Sequence, residues 1–326
     1  MKRFLKTAAF VFALVALFAL AYVRLPYYSV GPGPAREVAP LIDVQGHQRF
    51  ASAGRLIMTT VKWYQVTPLQ AMVAWADPHQ SVVSKSLLYP PGQDVSAEQR
   101  RAISQMDQSK IDASIVVLTE LEDYPRTHGT GALIEQTFPG CPADGELFTG
   151  DLILAIDGES VDSRKEASTL IGGAPPREPL DFRVRAAGET HEVEVAKRRC
   201  AGSEDPLVGV SLVDNFPFPI EISSGDVGGP SAGLMFSLGL YDLLTPDDLT
   251  AGRTIAGTGT IGPDGKVGPI GGITDKVVAA ERVGASVFLV PSQNWDDLAG
   301  FDTGEMRLIR VANFDDAVEA LQGPAS

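Results

Sequence analysis

Ser231 stands in "GGPSAG", and a serine hydroxyl attacks a carbonyl only when a general base takes its proton. Histidine is the usual base. The four histidines, His47, His79, His128 and His191, all precede this stretch. The other candidate is lysine, and residues 201–326 contain two of them. Lys266 sits in the tight turn "GPDGKVG" and is expected to point into water. Lys276 follows "GGIT" and opens a helical apolar pattern, with Thr274 or Asp275 as the expected cap. The positive end of a helix dipole disfavours a cation there. Burial at that position would push the ammonium toward its neutral form, which is the form a base needs.

Elements must bring the two together. Pro230 suits a first helical turn, so Ser231 is expected at the N-terminus of a helix over 231–244, where free N–H groups could receive an oxyanion. Further helices are expected at 275–283 and 314–321. Strands are expected in "RTIAGTGTI", "SVFLVP" and "MRLIRV", giving an α+β or α/β arrangement. An isolated serine between glycines is more often a plain helix entry than a nucleophile.

"GGPSAGLMFSLGLYDLLT", "AGTGTIGPDGKVGPIGGITDKVVAAERVGA" and "FLVPSQN" together resemble the proteolytic domain of the Lon protease family. That resemblance implies a Ser/Lys dyad of Ser231 as nucleophile and Lys276 as base. It also implies supporting roles for Thr258, which helps hold the lysine amine, and for the adjoining Gly229. Two positions depart from the family pattern: Gly228 and Thr260 stand where acidic residues are usual. Lon-type domains tend to form rings, so a homo-oligomer is implied by resemblance alone.

Upstream, "GALIEQTFPGCPADGELFTGDLILAIDGESVDS" and the paired strands of "PLDFRVRAAGETHEVEVAKRR" resemble a bacterial PDZ domain over 111–200. Such domains add an extended peptide to a sheet edge, and "HGTGALI" is the natural carboxylate loop. His191-Glu192 begins like a zinc-protease motif, but Val195 and the alternating pattern deny it the helix such a site needs. No metal or cofactor is expected, and no GxxxxGK[ST] string is present to bind ATP.

The N-terminus reads MKRFLK, followed by an uncharged run from Thr7 to Val23. About 20 residues, helix about 4–23, are enough to span a bilayer, with Lys2, Arg3 and Lys6 holding the N-terminus inside. A cleaved secretory signal ending near Ala19-Leu20-Ala21 is the alternative. Both place the remainder outside the cytoplasm, where Cys141 and Cys200, the only two cysteines, can pair.

The expected organisation is a cytoplasmic tip and anchor (1–26), an extracytoplasmic α/β connecting region without chemistry (27–110), a PDZ-like β-rich domain (111–200) and a Lon-like α/β proteolytic domain (201–326). Within the connecting region "YYSVGPGPAREVAP" reads as an extended linker and "TPLQAMVAWA" as a helix capped by Thr67. The net charge of −14 argues against nucleic acid as a partner. The expected function is an ATP-independent, membrane-anchored serine endopeptidase acting on unfolded or exposed protein segments. The alternative is a non-catalytic PDZ scaffold with a degenerate protease module.

Overall fold

A computed structural model describes residues 2–89 and 95–323. The first part of the chain forms α1 (Lys2–Tyr22), β1 (Tyr27–Glu37), β2 (Ile42–Val44), β3 (Arg55–Gln65), α2 (Pro68–Ala76), β4 (Ser81–Ser84), α3 (Lys85–Leu88) and α4 (Val95–Leu121). A β-rich insert follows: β5 (Gly129–Thr137), β6 (Leu152–Ile156), β7 (Glu159–Ser160), α5 (Arg164–Gly173), β8 (Pro179–Ala186), β9 (Glu189–Ala196), β10 (Arg198–Arg199), β11 (Pro206–Leu207) and β12 (Val210–Asn215). The last part holds β13 (Ile220–Ile222), α6 (Gly233–Leu244), β14 (Thr254–Gly257), β15 (Thr260–Ile261), β16 (Val267–Gly268), α7 (Ile273–Arg282), β17 (Val287–Pro291), β18 (Arg307–Val311) and α8 (Phe314–Gln322).

The main sheet runs β18-β17-β14-β3-β1-β4. β3, β14, β17 and β18 are mutually parallel, whereas β1 is antiparallel to β3 and β4. Alternate residues of its central strands enter two cores, as the period of two requires. Leu56, Met58, Ile255 and Leu289 pack with α6, α4 and α8; Ile57, Ala256, Phe288 and Val290 pack with α7. Each of these buried Leu, Ile, Val, Met and Phe side chains contributes about 1.5–3 kcal/mol relative to exposure.

Residues 27–110 therefore differ from the connecting region expected of them. "YYSVGPGPARE" is no linker: it is β1, and its register shift between Pro32 and Ala35 accommodates prolines that cannot donate to a regular ladder. β3 pairs β14 in parallel and completes the sheet from a distant part of the chain. Sheet pairing over so many intervening residues leaves no local signature in the sequence. α2 follows expectation, with Thr67 and Gln70 forming a reciprocal capping box. In α4, Met106 is buried and Ile103 is half exposed.

The expected spanning helix forms as α1, but among the described residues no helix is long and apolar enough to cross a membrane.

The insert's own sheet runs β12-β5-β6-β8-β9 around Phe182, Ile134, Ile153 and Leu147. Cys141 and Cys200 are joined as a disulfide, Cα to Cα 4.7 Å, clamping the turn after β5 to the strand following β9.

Candidate active site

Ser231 lies in the turn just before α6, which starts at Gly233 rather than at the serine itself. Gly229 takes φ +86°, a conformation open to glycine, and its N–H donates to the Ala102 carbonyl of α4 at 2.7 Å. Ser109 of the same helix donates to the Pro230 carbonyl at 3.0 Å. At Gly233 a Cβ would come within 2.5 Å of the Ser109 hydroxyl. α4 thus braces the nucleophile turn at several points, and small residues permit the approach. Gly228 lies equally close: a Cβ there would sit 3.1 Å from the Ala102 Cβ, a tight contact with α4.

Lys276 lies in the first turn of α7 and is 3% exposed. The helix is capped by Gly272 in the left-handed region, without any side-chain cap from Thr274 or Asp275. Lys276 Nζ is 2.8 Å from Ser231 Oγ, 3.0 Å from Thr258 Oγ1 and 3.3 Å from the Thr59 carbonyl. Burial lowers its pKa to about 8, since no carboxylate compensates for the lost hydration. Lys266, by contrast, is 80% exposed beside Asp264.

The hydrogen-bond directions around the amine are fixed by its neighbours. Thr258 Oγ1 donates its proton to the Ser231 carbonyl at 2.9 Å, so it can only accept from Lys276. The Thr59 carbonyl can also only accept. A neutral amine therefore spends its two N–H bonds on Thr258 and Thr59, and its lone pair faces Ser231 Oγ.

The chain around Ser231 is held from the opposite side as well. Gly259 N–H donates to the Ser231 carbonyl at 2.9 Å, and Leu234 N–H to the Gly259 carbonyl at 3.1 Å. The N–H groups of Ser231 and Ala232 are bonded to no other described residue, which leaves two donors beside the hydroxyl.

Ser231, Gly229, Thr258 and Lys276 are thus brought together, while Cys141 and Cys200 lie apart in the insert. Sequence reasoning missed Thr59, whose contribution is a carbonyl that any residue could supply, and the bracing role of Ala102 and Ser109. Among the described residues no cluster of His, Cys, Asp or Glu could hold a metal ion. In the insert, "HGTGALI" leads into β5, but β5 has no free edge: β6 pairs one side and β12 the other, with α5 packed on β5 and β12.

The site therefore sets a buried lysine amine against a serine hydroxyl, on a mixed sheet with helices on both faces. Residues 214–322 match the family model of the Lon protease (S16) C-terminal proteolytic domain. The match begins after β1 and β3, which complete the sheet from outside it. The mitochondrial Lon protease homolog of Caenorhabditis elegans is 40% identical over 96 residues, covering 28% of this chain and 10% of that protein. The Lon protease of Desulfosudis oleivorans is 38% identical over 100 residues (30% and 12%), and that of Phenylobacterium zucineum 34% over 155 residues (44% and 19%). The chain thus spans 10% to 19% of the length of these relatives. Among solved structures, the PDZ domain of the SdrC-like protein from Listeria innocua is similar at 24% identity, covering 25% of this chain and 92% of that one, with a TM-score of 0.23.

Proposed function

We propose that this protein is a serine endopeptidase in which Lys276 deprotonates Ser231. The observation that carries the reading is the buried amine, its lone pair directed at a hydroxyl 2.8 Å away by two fixed acceptors. The Ser231 oxygen attacks the scissile carbonyl, forming the acyl C–O bond. The N–H groups of Ser231 and Ala232 take the charge on the carbonyl oxygen. The ammonium formed at Lys276 then protonates the leaving amine as the C–N bond breaks, and water releases the acyl group by the same proton route in reverse. The match to Lon proteolytic domains supports the same reaction class.

In this reading cleavage proceeds without ATP. Substrates are then unfolded chains, tails or accessible loops, and the insert contributes to choosing them. The chain works outside the cytoplasm and is held at a membrane by its apolar N-terminal helix. Support for this comes from the Cys141–Cys200 bridge, which an oxidising compartment favours, and from the uncharged run Thr7 to Val23.

The test is cleavage of an unfolded casein-like substrate by Ser231→Ala and by Lys276→Ala, each expected at background. Parent-level cleavage by both variants would refute the dyad.

A further inference from the structure

The segment that completes the sheet also carries a surface with no part in the reaction. α2 is apolar in an inverted sense: Ala71 and Ala74 are buried, while Leu69, Met72, Val73 and Trp75 are 52% to 75% exposed. Positions 69, 72 and 73 share one helix face. Putting the small residues inward and the large ones outward gains nothing if water covers that face.

Three observations say what covers it. First, the face is continuous with α1, which packs against α2 and itself exposes Phe10, Phe12, Leu14 and Leu17. The junction is fastened: Leu25 N–H donates to the Val66 carbonyl at 2.8 Å, and the Arg24 guanidinium to the Gln65 carbonyl at 2.6 Å. Second, five of the seven tyrosines and two of the three tryptophans lie between residues 22 and 89. Tyr22, Tyr27, Trp63 and Trp75 are all substantially exposed there, and aromatic rings of this kind collect at the headgroup level of bilayers. Third, the surroundings are basic in a chain of net charge −14. Arg24, Lys62 and Lys85 are exposed beside the junction, where Lys85 N–H donates to the Pro26 carbonyl; Asp77 is the acidic group of α2's end. Anionic headgroups complement that charge.

We propose that α2, together with the end of α1 and the aromatic and basic residues around them, lies in the interface of a bilayer bearing anionic lipid and seats the catalytic sheet against it. The inference rests on the reading above that the chain is held at a membrane, and adds where and in what orientation. β3 runs directly from Thr59 at the site to Gln65 beside α2. At about 3.3 Å per residue the active site is held within roughly 20 Å of the seat. Cleavage is thereby directed to segments close to the membrane surface.

The test uses the full chain on vesicles of phosphatidylcholine and phosphatidylglycerol with brominated acyl chains, in two single-tryptophan forms. One keeps Trp75 (Trp63→Phe with Trp295→Phe) and the other keeps Trp295 (Trp63→Phe with Trp75→Phe). The expected result is a blue-shifted Trp75 quenched several-fold more than Trp295. Adding Met72→Asp and Val73→Asp should return Trp75 to the level of Trp295 while the chain still floats with vesicles. Flotation with equal quenching of the two tryptophans overturns the seat alone. So does strong Trp75 quenching that the two aspartates leave unchanged. Shielding of Trp75 from both brominated lipid and aqueous iodide assigns the face to another copy of the chain and also overturns it. A chain that fails to float overturns the membrane reading and the seat together.

Discussion

The Thr258 hydroxyl donates to the Ser231 carbonyl at 2.9 Å and receives Lys276 Nζ at 3.0 Å. One side chain therefore touches the Ser231 backbone and the Lys276 amine, and sets the rotation of that amine. Thr258→Val keeps the shape and loses the acceptor. It should lower kcat by about 100-fold, the low end of general-base contributions. Thr258→Ser should restore most of the activity. A role in folding alone would lower Tm in Thr258→Val and leave kcat per folded molecule unchanged.

Cleavage should rise with pH. In the proposed reaction Lys276 works as a neutral amine, and burial places its pKa at about 8. The kcat/KM profile should therefore fall about tenfold per pH unit well below 8 and level off above it. Thr258→Val should displace this limb, since it removes a partner of the amine. Steady-state rates on a short fluorogenic peptide between pH 6 and 10 provide the measurement.

The same buried amine costs stability. Its folded pKa of about 8 lies below the ordinary 10.5, so between these values the unfolded chain binds more protons than the native one. The contribution of this group to stability is full above pH 10.5, declines as pH falls toward 8, and stays low below that. Lys276→Met, which removes the charge and keeps most of the bulk, should abolish cleavage and yet raise stability at pH 7 by about 1–3 kcal/mol. Urea denaturation of parent and variant at pH 7 and pH 10 should show the gain shrinking at the higher pH.

Asp112 of α4 behaves in the opposite sense. It is buried, its Oδ1 has no hydrogen-bond partner, and burial together with the Glu135 carboxylate pushes its pKa up to about 7. An acid whose folded pKa is raised contributes most below the unfolded value near 3.8, and that contribution is lost as pH rises through about 7. Asp112→Asn should stabilise the protein by about 2 kcal/mol at pH 8 and flatten the slope between pH 4 and 7. Thermal melts across that range test it, and an unchanged slope would assign the pH dependence elsewhere.

How much of this was legible beforehand follows from where each feature is encoded. Ser231 and Lys276 are paired in the sequence by the resemblance of their flanking segments to Lon proteolytic domains, and the lack of any histidine after residue 191 with only two lysines in 201–326 narrows the choice of base. α7 and α8 were readable from apolar spacing, and β17 from a compact apolar run. β1 was not, because prolines and glycines disguise a strand whose irregular pairing is settled by β3 and β4. Thr59 was hidden for a different reason: a carbonyl leaves no mark on residue type. The bracing of the Ser231 turn by α4 likewise depends on small residues, Ala102, Gly228 and Gly233, whose meaning appears only when the helix lies across them.

β12 occupies the edge of β5 opposite β6. Asp214 holds it there: its carboxylate accepts from the Arg164 backbone N–H at 2.8 Å and faces the Arg164 guanidinium at 3.4 Å, and its carbonyl accepts from the Tyr124 hydroxyl at 2.7 Å. Asn215 adds a bond to the Thr130 carbonyl at 2.8 Å. A peptide adding to β5 must compete with this tethered strand, so its apparent affinity is reduced by the fraction of molecules in which β12 has left. Asp214→Ala removes the carboxylate contacts and should weaken β12 by about 1.4 kcal/mol, raising that fraction about tenfold. Hydrogen exchange of the Leu212 and Val213 amides should accelerate by a similar factor. Fluorescence anisotropy with an extended peptide should show the affinity gain in parallel. Faster exchange without tighter binding would mean that peptides approach the insert by another edge, and β9 is the remaining outer strand of that sheet.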